Sequence, residues 1–325
     1  MTNKKYDVVA LGELLIDFTE NGLSEQGNPL LEANPGGAPC NVLSMLQKLG
    51  DKTAFIGKVG NDGFGHLLTK AVQEQGIDTT GLVYDNDVHT TLALVLKKEN
   101  GDRDFAFYRN PGADMNLKEE EVDESLIASS SIFHFGTLSL TDESVKNATQ
   151  KAVKVAKENG LTITFDPNLR EPLWRSLEEA HEQVAWGLQQ ADVVKISDNE
   201  ITWFTGMDNY DEGIAFLQKE YPNLKLICLS MGGDGSKAVY RDIHVAYPAF
   251  LQEATIETTG AGDTFCACMI HTVLENGIDH LDEEKLKEML KFANAAASLV
   301  TTKKGALRVM PTKEEVETFI ENFKR

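Results

Sequence analysis

Thr258-Thr259-Gly260-Ala261-Gly262-Asp263-Thr264-Phe265 places a backbone that can turn freely next to a single carboxylate. Gly260 and Gly262 carry no Cβ, so the chain can bend sharply there and approach a ligand closely. Phe265, Met269 and Val273 then recur every fourth residue, the apolar face of a helix that stops at Gly277 after Asn276. A helix starting here presents unpaired N–H groups and a partial positive charge, so it can hold a phosphate or a developing oxyanion. Asp263 either complements that dipole, as acids in a first turn commonly do, or takes a hydroxyl proton beside an anion hole built from the same amides. Two glycines around one alanine, followed by Asp-Thr-Phe, favour the second role.

Other chemistry-bearing residues fall where strands should end. Tyr6–Leu11 is a short apolar run, and Asp17 follows it by a few residues. Asn34-Pro35-Gly36-Gly37-Ala38-Pro39-Cys40-Asn41 puts two glycines before a helix with proline near its start. That loop either brings backbone close to a polyol, with Asn41 offering both donor and acceptor, or is simply a turn into a helix. Apolar runs also lead into Asp166-Pro167-Asn168-Leu169-Arg170, into Ser197-Asp198-Asn199-Glu200, and through Ser230 into Gly232-Gly233-Asp234-Gly235. In an open α/β sheet, ligands bind beyond the carboxyl ends of the strands.

The elements needed to hold these tips follow from periodicity. Leu30–Ala33 and Thr53–Gly57 read as short strands, and helices are expected at about 65–75, 141–159, 177–189, 283–302 and 312–323. Gly57, Gly60, Gly63 and Gly65 crowd a loop around Asp62, in a spacing that is not the dinucleotide fingerprint. Thr90–Lys98 and Arg103–Arg109 are β-rich and flank Glu99-Asn100-Gly101-Asp102, a hairpin signal. No helix separates them, so they interrupt the β-α rhythm. The expectation is one α/β domain over 1–325 with a mostly parallel central sheet flanked by helices. A small β lid or dimer-forming appendage would come from insertions at about 13–35 and 88–113.

Composition narrows the partners. The chain has 325 residues, 42% hydrophobic, and a formal charge of −20, so its surface should repel nucleic acid and anionic membrane. Cys40, Cys228, Cys266 and Cys268 fit neither a disulfide framework nor zinc spacing, and read as buried thiols. The start of the chain is polar, and no apolar run could span a bilayer. A reducing cytoplasm is the expected setting.

Taken together, the motifs resemble the ribokinase-like, PfkB family of sugar kinases, and within it the fructokinases, nearly from end to end. Gly36-Gly37-Ala38-Pro39 with Asn41, and Gly57–Asp62 with Phe64-Gly65, are similar to the family's first signature, and Thr258–Phe265 to its second. Phe107-Tyr108-Arg109, Asp166–Arg170 and Leu173-Trp174 resemble fructokinase sequences in particular. The resemblance implies Asp263 as base and the amides of Gly260, Ala261 and Gly262 as anion hole. Asp17, Gly36, Gly37 and Asn41 would hold sugar hydroxyls, with Arg109 reaching the sugar from the lid. Asn168 and Arg170 would lie where sugar and phosphates meet. Ser230, Gly232, Gly235 and Asn294 would line the ATP site, with Gly305 on a loop near adenine. Glu200 would organise water around Mg²⁺, and Glu257 would stand at a monovalent-cation site, K⁺ being the candidate ion. A homodimer through the β lid is expected.

Three departures from the family pattern stand out. Glu257 replaces an aspartate, Ser197 replaces the asparagine of Asn-x-x-Glu, and Cys268 stands where a small residue is usual. The leading activity is ATP-dependent phosphorylation of a sugar primary hydroxyl, D-fructose first. A 2-keto-3-deoxygluconate kinase is the main alternative, since an arginine on the lid can clamp a carboxylate. A nucleoside kinase, a silent sugar- or nucleotide-binding regulator, and a Rossmann oxidoreductase lacking its Gly-x-Gly-x-x-Gly fit less well.

Overall fold

The computed structural model describes residues 4–97 and 103–323. The apolar run at the start forms β1 (Tyr6–Leu11), followed by β2 (Leu15–Leu23), β3 (Pro29–Gly36) and α1 (Ala38–Leu49). Next come β4 (Thr53–Gly60), α2 (Gly63–Glu74), β5 (Asp78–Asp85), β6 (Leu92–Lys97) and β7 (Arg103–Tyr108). The middle of the chain alternates α3 (Glu124–Ala128), β8 (Ser130–Gly136), α4 (Glu143–Glu158), β9 (Thr162–Asp166), α5 (Leu177–Gln190) and β10 (Val193–Ser197). The last third holds α6 (Asp198–Thr205), α7 (Tyr210–Glu220), β11 (Leu226–Ser230), β12 (Ser236–Tyr240) and β13 (Ile243–Tyr247). It ends with α8 (Ala261–Asn276), α9 (Glu283–Val300) and α10 (Lys313–Asn322).

Nine strands form the main sheet in the order β13-β12-β11-β10-β9-β8-β1-β4-β5. From β11 to β5 every pairing is parallel, and at the other edge β11–β12 and β12–β13 both pair antiparallel. A parallel sheet is covered on both faces, which is why β4 is buried at every position. One face packs against α1, α8 and α9 through residues such as Leu43, Leu46, Met269, Ile270 and Leu290. The other packs against α4 and α5 through Ala148, Ala152, Val184 and Leu188.

The second sheet has four strands in the order β3-β2-β6-β7, with β2 and β6 parallel and both outer pairs antiparallel. The expected Asn100-Gly101 turn between β6 and β7 lies outside the described residues. Several elements differ from the sequence reading. The expected strand at Leu30–Ala33 is the middle of the longer β3, and β2 and β5 were not foreseen. β2 contains Asn21 and Gly22, poor strand formers, and its register with β3 shifts there, between Glu20 and Leu23. The polar tip at Ser197–Glu200 is a helix start: Ser197 caps α6 in a capping box with Glu200. Asp62 caps α2 and bonds Thr90, so the glycine-rich loop around it is a structural junction.

Candidate active site

The start of α8 lies between two pockets. Gly260 is its N-cap at φ 79°, a left-handed conformation that disfavours side chains, and a Cβ there would meet Ala306 Cβ at 2.7 Å. A Cβ on Gly262 would lie 3.2 Å from Lys195 Nζ. Thr264 Oγ1 donates to the Gly260 carbonyl at 2.7 Å and fixes the first turn. Asp263 projects from this turn and accepts a bond from Asn41 Nδ2 at 2.8 Å. Burial raises the Asp263 carboxyl above its ordinary value, opposed by the Asn41 bond and by Lys195 and Arg170.

The first pocket, about 260 Å³, is lined by Glu13, Asp17, Gly37, Asn41, Asn168, Arg170, Lys195, Glu257, Gly260, Gly262, Asp263 and Gly305, with neighbours. Its other wall is the four-stranded sheet, through Leu15, Asp17 and Thr19 of β2, Asn34 of β3, Val95 of β6 and Phe107 of β7. The three β2 residues alternate, so one strand face looks into the pocket. Gly36 is needed because a Cβ there would sit 2.2 Å from Asp17 Oδ2. Burial pushes Asp17 up to about 7, with Arg170 lowering it and Asp263 and Glu257 raising it.

The floor near α8 comes from β9 and β10. Lys195 Nζ lies 3.2 Å from Asp166 Oδ1, and both side chains are almost wholly buried. Burial works against the Lys195 charge, yet Asp166, Glu200 and Asp263 together raise its pKa, so it stays protonated. Burial pushes Asp166 to about 7 against the pull of Lys195. Past β9 the chain turns through Asn168 at φ 42°, its N–H on Asp166 Oδ1 at 3.1 Å. Glu200 straps this turn to α6: Oε1 accepts from Leu169 N and Oε2 from Ser197 N, each at 2.8 Å.

The second pocket, about 310 Å³, is lined by Ser230, Gly232, Gly235, Phe250, Thr258, Ala261, Gly262, Asn294 and Ser298 among others. Thr258 and Gly262 belong to both pockets, so the two sites meet at the first turn of α8. Asn294 is buried, accepting from Ser236 Oγ at 2.8 Å and donating to the carbonyls of Tyr247 and Pro248.

Most of the residues singled out in the sequence gather here; Gly36 backs Asp17 without lining the first pocket, and Arg109, Gly305 and Glu200 sit elsewhere than expected. Arg109 lines neither pocket: its Nε donates to Asp114 Oδ2 at 2.8 Å, Nη1 to Thr141 and Nη2 to the Leu138 carbonyl. Arg109 is 6% exposed, and Nε, Nη1 and Nη2 each bond protein. Gly305 lines the first pocket and not the second, since its N–H is drawn to Glu257 Oε1 at 2.7 Å. Glu200 lines neither pocket; its oxygens accept from Leu169 N and Ser197 N, which holds it beside Asp166 and is compatible with the expected role through water. Two pocket residues escaped sequence reading. Lys195 was signalled by a lysine inside the apolar run Val193–Ile196, a placement that requires a buried partner. Glu13, directly after β1, offered no comparable signal.

Among the described residues no three His, Cys, Asp or Glu side chains gather into a protein-only metal cage. Asp166 Oδ2 is buried and makes no hydrogen bond, with Lys195 Nζ ion-paired to it at 3.2 Å, and Glu200 is close enough to influence Asp166 electrostatically. One or two carboxylates plus phosphates and water are the usual surroundings of Mg²⁺, so these residues fit that ion.

Two pockets that meet at one helix N-terminus, one of them edged by a buried carboxylate, define a group-transfer enzyme. The chain belongs to the pfkB family of carbohydrate kinases, whose sequence profile matches residues 5–313. It is 41% identical to probable fructokinase-2 of Arabidopsis thaliana over 316 residues, covering 96% of this chain and 95% of that protein. It is 41% identical to fructokinase-1 of Zea mays, covering 97% of each. Among solved structures, the ATP-bound fructokinase of Xylella fastidiosa superposes with a TM-score of 0.88 at 29% identity, over 97% of this chain and 98% of that one. The fructokinase of Vibrio cholerae O395, with fructose, ADP and calcium bound, gives a TM-score of 0.87 at 28% identity, covering 97% and 99%.

Proposed function

We propose that this protein transfers the γ-phosphoryl group of ATP to the primary hydroxyl of D-fructose, giving fructose 6-phosphate. The observation that carries this reading is the Asn41–Asp263 pair in the first pocket, with Asp263 directly after Gly262, which lines both pockets. The sugar would occupy the first pocket, its hydroxyls on Asp17, the Gly36-Gly37 backbone, Asn41 and Asn168. Asn41 Oδ1 is buried without a partner, an acceptor left for such a hydroxyl. ATP would occupy the second pocket. Asp263 would take the hydroxyl proton as the new bond forms, and the Gly260–Gly262 amides would stabilise charge on the transferred group. Phosphoryl transfer rests on positioning and charge stabilisation, so Lys195 and Arg170 would matter as much as the base. Mg²⁺, when bound with the nucleotide near Asp166 and Glu200, would neutralise phosphate charge.

The leading alternative substrate, a sugar acid, loses support with Arg109 turned away. Glu13, Asp17, Glu257 and Asp263 line the first pocket against only Arg170 and Lys195, and this excess of acid disfavours an anionic sugar. The four-stranded sheet would act as a lid that excludes water and prevents ATP hydrolysis. Leu30 and Leu31 are 46% and 42% exposed on it, which fits a dimer through the lid. Conversion of the four buried thiols to disulfides is not called for by their placement, in keeping with a reducing, cytoplasmic setting.

The test is ADP release with ATP and Mg²⁺ over D-fructose, 2-keto-3-deoxygluconate, ribose, tagatose and adenosine, with and without K⁺. Turnover with fructose far above the rest is expected. Turnover only with the sugar acid overturns the substrate, and none with any of them overturns the kinase reading. The K⁺ arm reads whether Glu257, already bonded to Gly305, still recruits a monovalent cation. Sedimentation of Leu31→Glu as a monomer is the expected result for a lid-mediated dimer.

A further inference from the structure

Helix α1 carries Asn41, yet the helix has no cap of its own. Its N-cap is Gly37, which has no side chain to offer, and no acid stands in its first turn. An uncapped helix start leaves N–H groups unsatisfied and its position poorly fixed. Glu13 fills this gap from outside the helix. Its Oε1 accepts the N–H of Ala38, the first residue of α1, at 2.7 Å across 25 residues of sequence. The Glu13 main chain packs on the same turn: a Cβ on Gly37 would lie 2.4 Å from the Glu13 carbonyl oxygen. One turn later Asn41 N donates to the Gly37 carbonyl at 3.0 Å, and Asn41 Nδ2 reaches Asp263. A continuous chain of bonds therefore runs from Glu13 through the first turn of α1 to Asp263.

Glu13 itself is 4% exposed and borders the first pocket. A buried carboxylate is costly unless it is bonded, so its retention there calls for a role. Arg109 and Asp114 are close enough to act on it electrostatically, in opposite senses. Among the described residues, the helix N-terminus is its one hydrogen-bonding partner outside its own residue.

We propose that Glu13 is a positioning residue for phosphoryl transfer. It acts as a remote cap that fixes the start of α1, and with it the Gly36-Gly37 backbone and the Asn41 amide that orients Asp263. The inference rests on the sugar-kinase reading of the pocket. What Glu13 must supply is an acceptor oxygen at the reach of a glutamate, and its charge is secondary. Glu13→Gln keeps an acceptor at that reach without the charge, whereas Glu13→Asp keeps the charge one methylene short.

The experiment measures kcat and KM for fructose and for ATP in the wild type, Glu13→Gln and Glu13→Asp, with thermal unfolding to confirm that each is folded. Glu13→Gln is expected to stay within about threefold of wild type. Glu13→Asp should lose about tenfold or more in kcat, with a raised fructose KM and an unchanged ATP KM. A folded Glu13→Asp with wild-type kinetics, or a Glu13→Gln as damaged as Glu13→Asp, overturns the proposal. So does equal loss for ATP and fructose KM, the mark of a general structural defect. If either variant is unfolded, residual turnover of the other decides in the same terms. A wild type without activity on fructose refutes the sugar reading instead, which keeps the two failures distinct.

Discussion

Asn41 Nδ2 donates to Asp263 Oδ2 at 2.8 Å, tying the first turn of α1 to the first turn of α8 across 222 residues. The bond engages one carboxylate oxygen of Asp263, and in the proposed reaction the other would meet the substrate hydroxyl. Asp263→Asn keeps the size of the side chain and removes its basicity. It should lower turnover by about 100-fold or more while leaving sugar and ATP affinity near normal. Steady-state ADP release with calorimetric binding checks this, and full activity in the variant removes Asp263 as the base.

Lys195 is buried against Asp166 beneath Gly262. Lys195→Met should cut kcat by about 10²- to 10³-fold, in the range of losing one preorganised charge-stabilising donor. Its stability should hold, because Asp166, with its pKa already at about 7, can take up a proton once the cation is gone. Stopped-time ADP assays and thermal melts together make the test. Unimpaired turnover in a folded Lys195→Met would exclude Lys195 from catalysis.

Arg109 and Asp114 form an ion pair with both side chains 2% exposed. Removing one partner of such a pair strands the other, at a cost of about 3–5 kcal/mol. Arg109→Met should therefore show its main effect in urea unfolding, with Arg109→Met/Asp114→Asn less destabilised than the single variant. A stable Arg109→Met with only a raised sugar KM would return Arg109 to the pocket.

Stability and activity should respond to pH in opposite directions. Burial holds Glu13, Asp17 and Asp166 at about 7 in the folded chain, whereas free carboxylates titrate near about 4. Between those values the folded state keeps protons that the unfolded state has released, so stability falls as pH rises. Their contribution is complete below about 4 and is lost as pH climbs through about 7. Asp62, Asp78, Asp85 and Asp123 have lowered values and act the other way only in more acidic solution. The ligand-free protein should melt at a lower temperature at pH 8 than at pH 5.5, and Asp17→Asn should flatten that slope. Turnover should instead fall toward acid pH, as Asp263 must be unprotonated to accept a proton. A melting temperature that rises from pH 5.5 to 8 contradicts the assignment.

The sequence alone determined the class of protein and singled out many of the residues that line the two pockets. Gly-Ala-Gly-Asp before an apolar helical face, Gly-Gly before a proline-started helix, and polar tips after apolar runs are local patterns. Backbone freedom and helix polarity decide them within a few residues. The parallel sheet was legible for the same reason, as buried strands are apolar on both faces. Tertiary structure decided what depends on distant partners. β2 is a strand because β3 and β6 pair with it over Leu15–Glu20, and its register with β3 shifts where Asn21 and Gly22 follow. Arg109 sits next to residues that resemble a substrate clamp, yet Asp114, Thr141 and Leu138 take up its guanidinium. Gly305 lines the first pocket, where its amide bonds Glu257, a partner 48 residues away. Glu13 and Lys195 gain their places from Ala38 and Asp166, one 25 and the other 29 residues away. A side chain's reach and charge are written in the sequence, but which group it meets once water is excluded is set only when the chain has closed around it.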